Sequence, residues 1–141
     1  MTWEKSCGAL VVRRDGDQFY ILMIRHKTGG HRSFPKGHVE AGESEYATAL
    51  REVMEETASR IAILSDFRAT VSYSPTPGVM KEVVYFLAFT TEAEIHAREG
   101  EIAEVEWIPL EEAEHCLTHE NDKTVFRSAM EKLQHLKFSI K

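Results

Sequence analysis

Residues 37–57 read GHVEAGESEYATALREVMEET, and the reading of this stretch decides the rest. A helix is predicted from about Ser44 to Thr57, because Tyr46, Ala47, Leu50, Val53, Met54 and Thr57 recur at helical spacing and form a candidate core stripe. Glu52, Glu55 and Glu56 are expected on the opposite face. They stand at i, i+3 and i+4, so their side chains converge on one patch. Three carboxylates so close repel one another, and Arg51 alone offers local compensation. A divalent cation would resolve the conflict, since Mg²⁺ is a hard ion that takes oxygen ligands and shares them with substrate phosphates. By itself a run of Glu opposite a core stripe reads as a solvated surface. The distance from Glu52 back to Gly37 and Glu43 in the preceding loop is what changes that reading.

Gly37, five residues, Glu43, seven residues, Arg51-Glu52, the apolar Val53, one residue, then Glu55-Glu56: this register resembles the signature of the Nudix family. With each residue type near ~7% of positions, the six fixed letters would recur by chance roughly once in 10⁷ starts. The resemblance implies that Glu52, Glu55 and Glu56 bind a divalent ion, Mg²⁺ with Mn²⁺ as an alternative, and that the backbone carbonyl of Gly37 completes the site. It further implies that Glu43 and Arg51 brace the loop and orient the glutamates. A further glutamate from a loop near the last strand is expected as base or additional ligand; Glu101 is the candidate and Glu104 the fallback. Whether Glu101 or a helix glutamate takes the proton stays open. The chain departs from the family where a Gly and an apolar residue usually follow the box, for it has Ala58 and Ser59. A Gly there suits a left-handed helix end, a conformation that costs Ala about 1 kcal/mol.

Outward from the box, Cys7–Arg14 and Phe19–His26 are apolar, β-rich runs separated by Arg-Asp-Gly-Asp, a hairpin signal. Ile61–Tyr73 and Val79–Thr90 read as strands joined by the turn cluster Ser74–Gly78, and Ala103–Ile108 as another, stopped by Pro109. A short helix around Leu110–Cys116 and a longer one around Asp122–Leu136 complete the pattern, the latter with a stripe of Val125, Phe126, Ala129, Met130 and Leu133. Strands and helices mix without a regular βαβ repeat, so the class is α+β; the resemblance implies an α/β/α sandwich around a central mixed sheet. At 141 residues and 16.1 kDa the chain has the size of one domain, 1–141. Cys7 and Cys116 are too few and too far apart for a disulfide scaffold or a CxxC site, and are expected as reduced thiols. No signal peptide or membrane-length apolar run is evident, so the default location is the cytoplasm, with no membrane partner.

A net charge of −6 gives no reason to expect binding along a nucleic-acid backbone, though local lysines and a bound metal would still admit a small anionic substrate. GxSxG, HExxH and P-loop motifs are absent. The seven histidines show no metal-ligand spacing; His38, next to Gly37, is the one to test as a phosphate contact. Ser6–Ala9, Phe34–His38, Lys81–Ala88 and Trp107–Ala113 are similar to the diadenosine tetraphosphate hydrolase branch of the family. That implies Lys36 and Lys81 against a long phosphate chain, and Tyr73 and Tyr85 as hydrogen-bond donors or stacking partners of a base. Arg32 stands where the branch often has Trp. The leading expectation is Mg²⁺-dependent hydrolysis of a nucleoside polyphosphate, above all asymmetric cleavage of diadenosine tetraphosphate to ATP and AMP. The alternatives are a nucleoside-triphosphate pyrophosphohydrolase, a relative acting on RNA 5′-triphosphate ends, and a non-catalytic nucleotide-binding domain, which the retention of Glu43, Glu52, Glu55 and Glu56 disfavours. The sequence leaves oligomeric state open.

Overall fold

The computed structural model describes residues 1–100 and 102–139, with side chains except at 65 and 137–139. In chain order the elements are β1 (Thr2–Asp15), β2 (Gln18–His26), β3 (Arg32–Ser33), β4 (Lys36–His38), α1 (Glu45–Thr57), β5 (Ala62–Tyr73), β6 (Val79–Phe89), β7 (Ile102–Pro109), α2 (Leu110–Cys116) and α3 (Glu120–Ser139). The sheet runs β3-β2-β1-β6-β5, with β4 on β1 and β7 on β2. β1 is the hub. Its later half pairs antiparallel with β2 through the hairpin, its earlier half with β4, and its other edge lies parallel to β6 from Thr2↔Val79 to Val12↔Phe89. The parallel β1·β6 pair makes the sheet mixed.

Because both faces of the sheet are covered, its central strands are apolar almost throughout rather than alternating. Successive β1 residues point to opposite faces. Cys7, Ala9 and Val11 go to the α1 side with Ala49, Val53, Val84, Phe86 and Ala88. Leu10 and Val12 go to the other, where Val83, Tyr85 and Leu87 meet Val125, Phe126, Ala129 and Leu133 of α3. The result is the α/β/α sandwich expected. The α3 stripe is as read, with Met130 packed half-buried at its margin. Both cysteines are free thiols, Cys7 buried and Cys116 half-buried. Among the described residues no helix is long and apolar enough to cross a membrane.

The expected α1 stripe is corrected. The buried residues are Thr48, Ala49, Glu52, Val53, Glu56 and Thr57, while Tyr46, Leu50 and Met54 are 42%, 44% and 37% exposed. The helix is turned by about one residue position, roughly 100°, so that two of the three signature glutamates face inward. Hydrophobicity alone would have buried Leu50 and Met54. Carboxylates tolerate burial when they find partners: Glu56 accepts from the Lys36 N–H of the loop beside α1, and Glu52 from Arg51 of the helix itself.

The ends of α1 are built locally. Ser44 caps the N-terminus, its Oγ accepting from the Ala47 N–H at 3.1 Å. At the other end Ala58 takes the left-handed conformation, φ 62° and ψ 18°, its N–H donating to the Met54 carbonyl. It is the one non-glycine residue with positive φ among those described. The helix therefore ends as the family's Gly would end it, with an Ala under strain. Ala58→Gly is expected to raise stability by about 0.5–1 kcal/mol, seen as a melting point a few degrees higher; an unchanged or lower melting point would contradict the strain.

Glu45, in the first turn, ties the helix to the sheet. It accepts from Arg68 Nε and Nη2 of β5, both at 2.8 Å, and pairs with Lys5 of β1 at 2.5 Å. The Arg68 bonds, with Lys5 assisting, hold its carboxyl down at about 2 against an ordinary 4.5. A carboxyl depressed in the fold contributes stability above pH 4.5 that is lost as pH falls toward 2. Glu45→Gln is thus expected to flatten the acid limb of the melting profile in that window while leaving the neutral limb's slope as it was. An acid limb identical to that of the parent would refute the clamp.

Candidate functional site

The loop before α1 positions the box. β4 pairs with β1 through Cys7↔Gly37 and Gly8↔Lys36, which brings Lys36 and Gly37 alongside the inward face of the helix. The Lys36 N–H donates to Glu56 Oε1 at 2.9 Å. Gly37 lies so close to the Glu52 carboxylate that a Cβ on it would collide with that group. Its φ is negative or extended, not left-handed, so glycine is required here for space and not for conformation. Burial pushes the Glu56 carboxyl up to about 7 and also raises Glu52, with Glu55 nearby adding to the latter and Arg51 opposing it.

Arg51 organises the opposite edge. Its Nε and Nη2 fork onto Glu43 at 2.7 and 2.9 Å, and Nη2 also donates to the His38 carbonyl at 2.9 Å. Its Nη1 reaches Glu55 at 3.2 Å and Glu52 at 3.3 Å. The fork, with the Glu40 N–H and the Thr48 hydroxyl also donating, holds Glu43 at about 2, fully ionised at neutral pH. Glu43 and Arg51 therefore link the loop, the box glutamates and the helix start in one network. From beyond β6, Arg98 approaches Glu55 at 3.6 Å, and the N–H groups of His96 and Arg98 cap the Thr57 and Glu56 carbonyls.

Among the described residues no three acidic, His or Cys side chains already stand at metal-ligand spacing. The donors nonetheless fit a hard divalent ion: oxygen only, three carboxylates within about one helical turn, two of them buried and raised in proton affinity by that burial. Glu52, Glu55 and Glu56, with the Gly37 carbonyl, are the residues that would hold it.

Beside this cluster opens a cleft of about 660 Å³, lined in part by Lys36, Val71, Tyr73, Val83, Tyr85 and Asp122. Lys36 belongs to both places, its backbone on Glu56 and its side chain in the cleft. Burial lowers the Lys36 ammonium, and the charge of Lys81 lowers it further. Lys81 pairs in register with Tyr73 across β5 and β6 but, unlike Tyr73, is not among the cleft's lining residues. Tyr73 is 37% exposed. Tyr85 is fully buried, edge-on to Phe34, with its hydroxyl 3.5 Å from Asp122; no ring face is left for stacking. The His38 ring is exposed, 4.0 Å from Glu4, and is not among the cleft's lining residues. Glu104 engages Arg25 of β2 at 2.9 Å. Glu101 lies outside the described residues. Arg32, in the place of the branch's Trp, braces its loop instead: Nε donates to Glu106 at 3.1 Å, and its backbone bonds Thr118 in both directions.

Asp122, His31 and His119 were not anticipated as cleft residues. The two histidine rings stack at 5.1 Å and 10°, and both line the cleft. Asp122 looks in sequence like an ordinary first-turn acid of a helix. Only the packing of α3 against β6 turns it inward.

Residues 4–129 match the family model of the NUDIX domain. Mouse bis(5′-nucleosyl)-tetraphosphatase [asymmetrical] is 34% identical over 120 residues, covering 77% of this chain and 81% of the mouse protein. The putative mutator protein MutT4 of Mycobacterium tuberculosis is 34% identical over 142 residues, covering 94% of this chain and 57% of that protein. The crystal structure of a C. elegans Ap4A hydrolase binary complex superposes with a TM-score of 0.85 at 26% identity, over 94% of this chain and 98% of that one. With the box register, the sandwich and these matches in agreement, the chain belongs to the Nudix family and is a phosphoanhydride hydrolase of it.

Proposed function

We propose that this hydrolase acts with Mg²⁺ on diadenosine tetraphosphate, cleaving it asymmetrically to ATP and AMP. The observation that carries the reading is the double position of Lys36. Its N–H holds Glu56 while its side chain enters the cleft, so a phosphate chain lying on Lys36 lies next to the box carboxylates. The resemblance of the flanking segments to the tetraphosphate hydrolases, and the likeness to the mouse enzyme over 77% of the chain, support the dinucleotide.

When bound, Mg²⁺ supplies charge neutralisation on phosphate oxygens and a more acidic attacking water. The chain's own residues do the rest. Arg51 keeps Glu52 and Glu55 oriented through the Glu43 fork. Lys36 and Lys81 draw the polyphosphate into line, and positioning of this kind dominates catalysis of phosphoanhydride displacement. Tyr73, with exposed ring surface beside the cleft, is the residue for a base to lie on. Glu101 remains the assigned loop glutamate, as base or further ligand.

Incubating the protein with diadenosine tetraphosphate and Mg²⁺, and separating products over time, tests the reading. ATP and AMP in equal amounts support it; a strong preference for mononucleoside triphosphates sinks it. That second outcome would favour a nucleoside-triphosphate pyrophosphohydrolase, for which the likeness to MutT4 over 94% of the chain is the specific observation.

A further inference from the structure

We propose that Arg98 is a phosphate-holding residue of this site: its guanidinium gives up Glu55 to the divalent ion and takes phosphate oxygens of the substrate instead. The proposal rests on the reading above that the box glutamates hold a cation beside the polyphosphate. Arg98 stands in the loop between β6 and β7, and that loop is fixed to the last turn of α1. The N–H groups of His96 and Arg98 donate to the Thr57 and Glu56 carbonyls at 3.0 and 3.2 Å. Two residues on, Gly100 lines the cleft, so the loop passes from the box to the cleft with Arg98 between them. The Arg98 side chain is 54% exposed, with Nη1 3.6 Å from Glu55 Oε2. Among the described residues none accepts a hydrogen bond from its guanidinium.

Arg51 and Arg98 both face the box glutamates, but Arg51 is already committed. It is locked by its fork on Glu43 and its bond to the His38 carbonyl. Arg98 has only a half-exposed ion pair, a contact that contributes little at a surface. Its charge is felt across the cluster all the same: burial raises Glu52 and Glu56, and Arg98 opposes the rise at both. A divalent ion ligated by Glu55 would repel the guanidinium, while the fixed backbone keeps it within a side chain's length of the box. The phosphate oxygens that such an ion shares then arrive beside an unpaired planar fork. A guanidinium matches phosphate bidentately, where an ammonium meets it as a point charge. Lys36 holds the phosphate chain from the cleft, and Arg98 holds it from the loop. The competing account makes Arg98 a surface brace that does no more than tie the loop to α1 through Glu55.

The test compares the parent with Arg98→Gln and Arg98→Lys by two measurements. Mn²⁺ dissociation constants come from electron paramagnetic resonance without nucleotide; kcat and KM come from diadenosine tetraphosphate and from ATP at saturating Mg²⁺. Arg98→Gln is expected to bind Mn²⁺ about two- to fivefold more tightly, because a competing surface cation is gone. Its KM should rise about ten- to hundredfold, the worth of hydrogen bonds to a charged group, with a smaller change in kcat. Arg98→Lys keeps the charge without the fork, so its Mn²⁺ affinity should stay parental and its KM fall between the other two. The opposite signs are the signature, since loss of a mere brace would leave KM where it was. A KM for Arg98→Gln within about twofold of the parent's, or weaker Mn²⁺ binding, overturns the proposal. Should Arg98→Gln fail to fold by near-ultraviolet circular dichroism, Arg98→Lys decides, and a parental KM there overturns it. A parent that binds no Mn²⁺ refutes the ligand set and this proposal with it. A protein that cleaves ATP in place of the dinucleotide, with both shifts present, refutes the tetraphosphate reading and leaves the role of Arg98 standing.

Discussion

Replacing Glu56 by Gln is expected to lower kcat at least about 100-fold with Mg²⁺ present, while the metal-free protein melts no lower than its parent. The two halves of that expectation come from the same geometry. Glu56 is 8% exposed and its carboxyl is pushed up to about 7 by burial, so the fold gains nothing from its charge without a cation. Gln keeps the shape and an oxygen to accept the Lys36 N–H, now 2.9 Å from Glu56 Oε1. Turnover, by contrast, depends on the charge, because a ligand that anchors the divalent ion is worth several kcal/mol of transition-state stabilisation and each 1.4 kcal/mol is tenfold in rate. Glu55→Gln should lose turnover comparably, again with little change in stability, since Glu55 is half-exposed and bonded to Arg51 and Arg98 at the surface. Steady-state rates and melting curves on the same preparations check both. Turnover of either variant within about threefold of the parent would remove that glutamate from the ligand set.

Gly37→Ala should damage fold and activity together, which separates it from the glutamate variants. The added Cβ would overlap the Glu52 carboxylate, and neither side can yield easily. Glu52 is pinned by burial and by Arg51. The Gly37 backbone is pinned by its pairing with Cys7 and by the neighbouring Lys36 bond to Glu56. Overpacking at such a point typically costs about 1–3 kcal/mol, and displacing the support of a metal site costs about 10- to 100-fold in activity or metal affinity. The expected result is a lower melting point, a lower kcat and a higher Mg²⁺ concentration for half-maximal rate. A Gly37→Ala protein with parental melting point and Mg²⁺ dependence would mean that Gly37 and Glu52 are not packed as described.

The parts of the site that were legible in the sequence are those set by short spacing. Glu52, Glu55 and Glu56 occupy one helical neighbourhood whatever α1 packs on, and the distances from Gly37 and Glu43 to Arg51 mark a loop returning along its own helix. The strands were legible for a related reason, since central strands covered on both faces are apolar runs between turns. The direction of α1 was not. Tyr46, Leu50 and Met54 make as good a stripe as Ala49 and Val53 do with two glutamates among them. Only Lys36 and Gly37, brought up by β4 pairing with β1, tell which stripe faces in. Tyr85 shows the same limit from the other side: its sequence position suits a substrate contact, and its burial under α3 takes the ring away.

What the amino-acid order determined by itself, then, is the box chemistry, the elements and the α+β class, because these follow from residue type and local period. The cleft was decided only in three dimensions. Its walls come from the loop before β3, from β5 and β6, and from the start of α3, segments that share no local pattern and meet because apolar faces on both sides of one sheet must be covered. Asp122 gains its buried place in the cleft wall from that packing, just as Glu56 gains its raised affinity for a proton. Side-chain environment is a property of packing, and packing is a sum over contacts distant in sequence.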